Sequence, residues 1–166
     1  MTAFRYTPGS WRAVVAADGV AVLPSDAGSE LLDRVWAALA AGAGLGAVLE
    51  SLTASFGTSL SSIPPFAVIT VAGGEVRLAV RGPLAVSVTE ADSRYTVSGA
   101  EVTTWSERVV GGATGLTVTT PEWDPPAGTS IWIVLEESSM LARAGTAARS
   151  PANRNAAFRR TGLISR

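Results

Sequence analysis

The sequence predicts an α+β fold: an antiparallel β-sheet, or a two-layer β arrangement, with a helical pair packed on one face. Three observations carry this expectation. Short runs of β-branched and apolar residues are punctuated by Asp-Gly, Gly-Gly and Gly-Pro pairs, which is the spacing of hairpins. One stretch, residues 29–56, repeats its apolar residues every three or four positions. At 166 residues, with 47% hydrophobic content and a mean hydropathy of +0.30, the chain holds enough apolar material for a core without disulfide staples.

Along the chain, residues 11–16 and 20–23 are apolar runs separated by Ala17-Asp18-Gly19. Asp and Gly both tolerate positive φ, so a tight hairpin is expected there. Ser29 stands ahead of Leu31, Leu32, Val35, Trp36 and Leu39, which recur at helical spacing. Ser29 reads as the N-cap, with Glu30 and Asp33 placed to favour the positive end of the helix dipole. Gly42, Gly44 and Gly46 break the pattern before Leu45, Val48, Leu49, Leu52 and Phe56 resume it, and Gly57 is expected to close the second helix.

Pro64-Pro65 forbids further helix. Residues 66–72, 75–81 and 84–89 then read as three antiparallel strands joined at Gly73-Gly74 and Gly82-Pro83. In the middle run Val76, Leu78 and Val80 share one face, while Glu75, Arg77, Ala79 and Arg81 share the other. Further strands are expected at 94–97, 103–110, 115–120 and 130–135, the last apolar on both faces and so suited to a covered position. Pro121, Pro125 and Pro126 mark a surface loop. A compact domain is therefore expected over residues 1–137. From 138 to 166 the chain has six Arg and no acidic residue, and it reads as a basic, mobile tail or linker.

The chain has no His, no Cys and no Lys, and its thirteen basic side chains are all Arg. Arg does not exchange protons near neutrality, because its pKa lies above about 12. The imidazole base, the thiolate nucleophile, the Schiff-base amine and the N or S ligands of zinc are thereby lost. The carboxylates Asp18, Asp26, Asp33 and Asp92 are of the type that binds magnesium or manganese, but turns, a helix start and a loop account for each of them. No catalytic residue, metal ligand or cofactor is assigned. The glycine-rich segments lack phosphate-binding spacing. A net charge of −1 and a pI near 5.4 offer no overall attraction for nucleic acid.

No apolar leader and no stretch of bilayer-spanning length is present, so a cytoplasmic protein without membrane insertion is expected. Trp123, between acids and prolines, is the best exposed aromatic candidate for a partner. Arg77 and Arg81 on one strand face, and Arg159, Arg160 and Thr161 in the tail, complete the interaction candidates. Thr161 follows two arginines and has an aliphatic residue, Ile164, three positions after it, a pattern open to phosphorylation and docking.

Two resemblances extend this reading. The segments starting at Tyr6, Val35, Gly44, Phe56, Ile63 and Val80 together resemble the N-terminal region of actinobacterial proteins that carry a forkhead-associated domain further downstream, over about residues 4–135. That resemblance implies a linker and a phosphothreonine-binding domain, whose Gly-Arg, Ser-x-x-His and Asn series does not follow here. The order Val15 to Asp18-Gly19, a helical region, Gly57 to Leu60 and Arg81-Gly82-Pro83 is similar to the metal-dependent protein serine/threonine phosphatases. In that family a strand ends in Val-x-Asp-Gly before a helix, and Gly-Asp-Ser-Arg comes later. Pro83 stands where the second Asp is needed, which implies a metal-free remnant of the fold. The expected function is a non-catalytic interaction or scaffolding domain of a phospho-signalling adaptor with protein partners. The alternative is a divergent metal-dependent hydrolase using Asp18 and neighbouring acids.

Overall fold

Among the described residues, nine strands and two α-helices are arranged around one long strand. The computed structural model describes residues 2–6, 10–56, 59–121, 130–135 and 163–164. The order is β1 (Thr2–Tyr6), β2 (Arg12–Ala16), β3 (Gly19–Leu23), α1 (Ser29–Ala40), α2 (Gly44–Ala54), β4 (Phe66–Ala72), β5 (Glu75–Thr89), β6 (Arg94–Gly99), β7 (Ser106–Gly111), β8 (Gly115–Thr119), β9 (Ser130–Leu135) and β10 (Leu163–Ile164). The strands follow the path β1-β9-β8-β5-β4-β3-β2-β10, with β6 and β7 also paired to β5. The pairings are antiparallel throughout.

The first half of β5 pairs with β4 and β7, and the second half with β6 and β8. The sheet curls about this strand so that its halves face each other. Val20, Val22, Ile69, Val76 and Leu78 from one half share a buried cluster with Val86, Val88, Val97, Leu116 and Val118 from the other. The opposite face of β2, β3 and β4 presents Val14, Ala21, Leu23, Phe66 and Val68 to the helices. There they meet Leu31, Leu32, Val35 and Leu39 of α1, and Leu45, Val48, Leu49 and Leu52 of α2. Strands covered on both faces lose the alternation of half-buried strands, which explains why β3 is apolar or Gly throughout and buried along its length. The third layer, built from β8, β9, β1, β6 and the end of β5, turns Ser87, Thr89, Thr117 and Thr119 away from the inner core, and there alternation persists.

The expected α+β architecture and the helical pair are present. Three local expectations need correction, and a fourth, on Gly57, falls outside the described residues. Ser29 is the first residue of α1 rather than its cap; Gly28 occupies the N-cap, with no side-chain hydrogen bond. Gly46 lies within α2, so only Gly42 and Gly44, with φ of 63° and 80°, make the break. α2 ends at Ala54 with Ser55 in right-handed geometry, and Gly57 lies outside the described residues. Gly82-Pro83 does not join two strands: 75–89 is a single strand that passes through it. β1 and β10 were not expected, and β10 returns two residues of the basic C-terminal segment to the sheet beside β2.

One edge of the curl is formed by β6 and β7, where Tyr95, Val102 and Val109 are the exposed large apolar residues. Tyr95 donates its hydroxyl to Glu90 Oε1 at 3.4 Å. Burial, and next the Glu90 charge, push the phenol above its ordinary value of 10, while Arg108 opposes them. Because the folded chain holds this proton longer than the unfolded one, stability falls as pH rises from 10 through the raised value and is unaffected below 10. In a Tyr6→Phe background, ultraviolet titration of Tyr95 should have its midpoint above 10, and Glu90→Gln should bring it down.

The helical layer yields a second expectation. Leu52 is wholly buried between α2 and the sheet. Leu52→Ala should lower the unfolding free energy by about 2–5 kcal/mol through lost burial and a cavity. Val109→Thr, at a position 54% exposed, should change it by less than about 0.5 kcal/mol in the same denaturant titration.

Candidate functional site

At one end of the sheet, four strands bring their termini or bends into a row. Arg12 opens β2 and pairs with Leu23, the last residue of β3. Val22 pairs with Ala67, which sets Leu23 beside Phe66, and Phe66 pairs with Arg81 in β5. The β3–α1 junction and the Gly82 bend are thus separated by one strand, a distance of roughly 10 Å at ordinary strand spacing. This juxtaposition defines the candidate site.

The junction is Pro24, Ser25, Asp26, Ala27 and Gly28. Ala27 N–H donates to Pro24 O at 3.1 Å, and Gly28 O accepts the first bonds of α1. Arg12 reaches across it, with Nη1 donating to Ala27 O at 2.8 Å. Its Nε is buried with no hydrogen-bond partner. Asp26 is exposed.

At the bend, the register between β5 and β6 shifts between Gly82 and Ala85. Gly82 has φ of 71°, which a side chain would strain, and a Cβ there would lie 2.8 Å from Pro65 Cβ. Pro83 is exposed, and a bulge is the place in a strand where a residue lacking N–H is tolerated. Gly99 pairs with Gly82, and a Cβ on Gly99 would fall 2.6 Å from the Arg81 backbone. Arg81 itself is half-buried. Its Nε donates to Ile63 O at 3.1 Å, and its Nη1 donates to the carbonyls of Thr103 and Thr104. The guanidinium therefore ties the loop before β4 to the loop before β7. Trp105, next in that loop, packs on Phe66 with ring centroids 6.2 Å apart.

The candidates from sequence are not gathered here. Arg77 is on the same face of β5 as Arg81 but roughly 13 Å along it, exposed and paired with Glu75 Oε1 at 2.9 Å. Trp123, Arg159, Arg160 and Thr161 lie outside the described residues. Asp18 occupies the β2–β3 turn, at the end of β3 remote from α1, where its carbonyl accepts Val71 N–H at 2.8 Å. The strand-to-helix Asp of the phosphatase pattern therefore cannot be Asp18; the only carboxylate in the β3–α1 junction is Asp26. Asp33 is exposed on α1 and Asp92 in the β5–β6 turn. Among the described residues, no three carboxylates are grouped so that they could hold a metal ion. Arg12 and Gly99 were missed by sequence reasoning. The available signal was a glycine just beyond the run 94–97, a residue type that permits close backbone approach.

The architecture has solved counterparts. At the level of folds, this is a phosphatase-like frame. The serine/threonine phosphatase PstP/Ppp of Mycobacterium tuberculosis superimposes with a TM-score of 0.52 and 11% identity, covering 82% of this chain and 99% of that one. PppA of Pseudomonas aeruginosa, a key regulatory component of T6SS, superimposes with a TM-score of 0.53 and 11% identity, covering 81% and 96%. No protein-family model and no curated protein matches the sequence.

The packing at the bend makes Gly99 intolerant of substitution. Gly99→Ala must displace the Arg81 backbone, and in a denaturant titration it should lower the unfolding free energy by about 1–3 kcal/mol. Gly111→Ala, where a Cβ meets nothing within 4 Å, is the matched control and should shift it by less than about 1 kcal/mol.

Proposed function

We propose that the chain is a non-catalytic protein-interaction or scaffolding domain on a phosphatase-like frame, serving as part of a phospho-signalling adaptor. The observation that carries this reading is Pro83 at the bend of β5, where the resemblance to the metal-dependent phosphatases calls for a carboxylate. A proline offers no oxygen ligand on its side chain, and the adjacent guanidinium of Arg81 is a cation, which repels a divalent metal. The phospho-signalling context draws support from the two solved counterparts, a serine/threonine phosphatase and a key regulatory component of T6SS. The adaptor reading and an actinobacterial setting rest on the resemblance to proteins bearing a downstream forkhead-associated domain.

A second reading, a divergent metal-dependent hydrolase, is favoured by one observation: Asp26 lies in the β3–α1 junction at the same end of the sheet as Gly82. The two readings separate in one experiment. With magnesium or manganese, the scaffold should leave phosphopeptides and p-nitrophenyl phosphate unhydrolysed, and its melting temperature should not respond to either ion. Turnover above background that disappears in Asp26→Asn, together with metal-dependent stabilisation, would establish the hydrolase instead.

A further inference from the structure

The edge of β2 is occupied by the chain's own C-terminal segment. β10 pairs Leu163 with Val14 and Ile164 with Ala13, whereas β2 itself runs from Arg12 to Ala16. A two-residue ladder is short beside the usual strand of about five or six residues. β10 reaches this edge only after residues 136–162, which separate it from β9 in the chain. Covalent connection makes the pairing intramolecular, and so sustains a ladder that would be weak between free molecules.

Charge supplies a second, independent observation. Residues 1–137 carry seven Arg against fourteen Asp and Glu, while residues 138–166 carry six Arg and no acid. Three of those arginines flank β10 in sequence: Arg159 and Arg160 before it and Arg166 after it. α1 packs over β2 and exposes Glu30 and Asp33, with Asp26 just ahead of the helix. Arg34, the one basic residue of α1, lies 3.9 Å from Glu30, which leaves α1 and its junction net acidic.

We infer that the β2 edge is a strand-addition site for an extended peptide bearing adjacent aliphatic residues between arginines, with Leu163–Ile164 as its resident occupant. Main-chain hydrogen bonds to Ala13 and Val14 give the register, and the acidic face of α1 gives the charge selectivity. A partner strand of the same chemistry takes the site when it displaces β10. The apparent affinity for such a partner is reduced by the fraction of chains in which β10 is seated. This inference does not rest on whether the chain catalyses a reaction.

The test uses a fluorescent peptide with the sequence of residues 157–166, titrated into the full chain and into the double variant Leu163→Pro, Ile164→Pro, which cannot sustain the ladder. The variant should bind the peptide at least about tenfold more tightly than the native chain. Replacing the peptide's arginines with Gln should abolish most of that binding, and raising salt from about 0.05 M to about 0.5 M should weaken it. Equal affinity for both proteins, or no binding to a variant that retains its unfolding transition, overturns the inference. If the variant does not fold, amide exchange on the native chain decides. Excess peptide at about 0.05 M salt should accelerate exchange at residues 163–164, which it displaces from the edge, and leave residues 67–70 unchanged, and unaltered protection at 163–164 overturns the proposal.

Discussion

The fold depends on one constraint: β5 must serve two sheet halves at once. A straight strand of 15 residues would run off the end of either half, so the chain has to bend without losing its inward face. The bulge at Gly82 does this. Val76, Leu78 and Val80 before it and Leu84, Val86 and Val88 after it all point into the same core. Partners on both sides of each half then fix β4, β7, β6 and β8 relative to one another, and the remaining strands extend outward from these. Glycine is required at the bend for its φ, and at its partner Gly99 for space.

That same bend explains where sequence reading failed. Alternation over 75–81 and 84–89 was legible because apolar residues on a half-buried strand repeat every second position. A Gly-Pro pair between two such runs is the usual mark of a turn, and here it marks a bulge. The difference lies in long-range pairing with β6 and β8, which no local window contains. The α1 and α2 periodicities, the Asp18 hairpin and the start of β4 were readable because their causes are local. β1 and β10 were not, since each exists only by virtue of a partner more than a hundred residues away.

The candidate site was less legible still. The phosphatase resemblance set Asp18-Gly19 before the helix, but β3, the second strand of the expected hairpin, lies between them and puts the junction at residues 24–28. The cationic character of this end is likewise a tertiary property. Arg12 and Arg81 both spend donors on carbonyl groups of loops, so their role in the fold is to knit connections together at the place where strands end. Buried carbonyls at strand termini lack ladder partners, and a guanidinium with five donors can satisfy several of them from a single side chain.

The pairing of β1 with β9 has a consequence for the chain as it is made. Thr2 lies opposite Leu135, so β1 leaves the ribosome well before β9 and finds its partner only when that part of the chain has emerged. At about 5–20 residues per second, the wait is roughly 7–27 s. During that time β2–β3 and β4–β5, whose partners are close in sequence, can already form, whereas β1 offers an open edge to other nascent chains. Contacts of such long range also slow refolding of a completed chain, toward the millisecond-to-second regime of β-rich topologies. The last elements to close are therefore the two strands at the ends of the sheet.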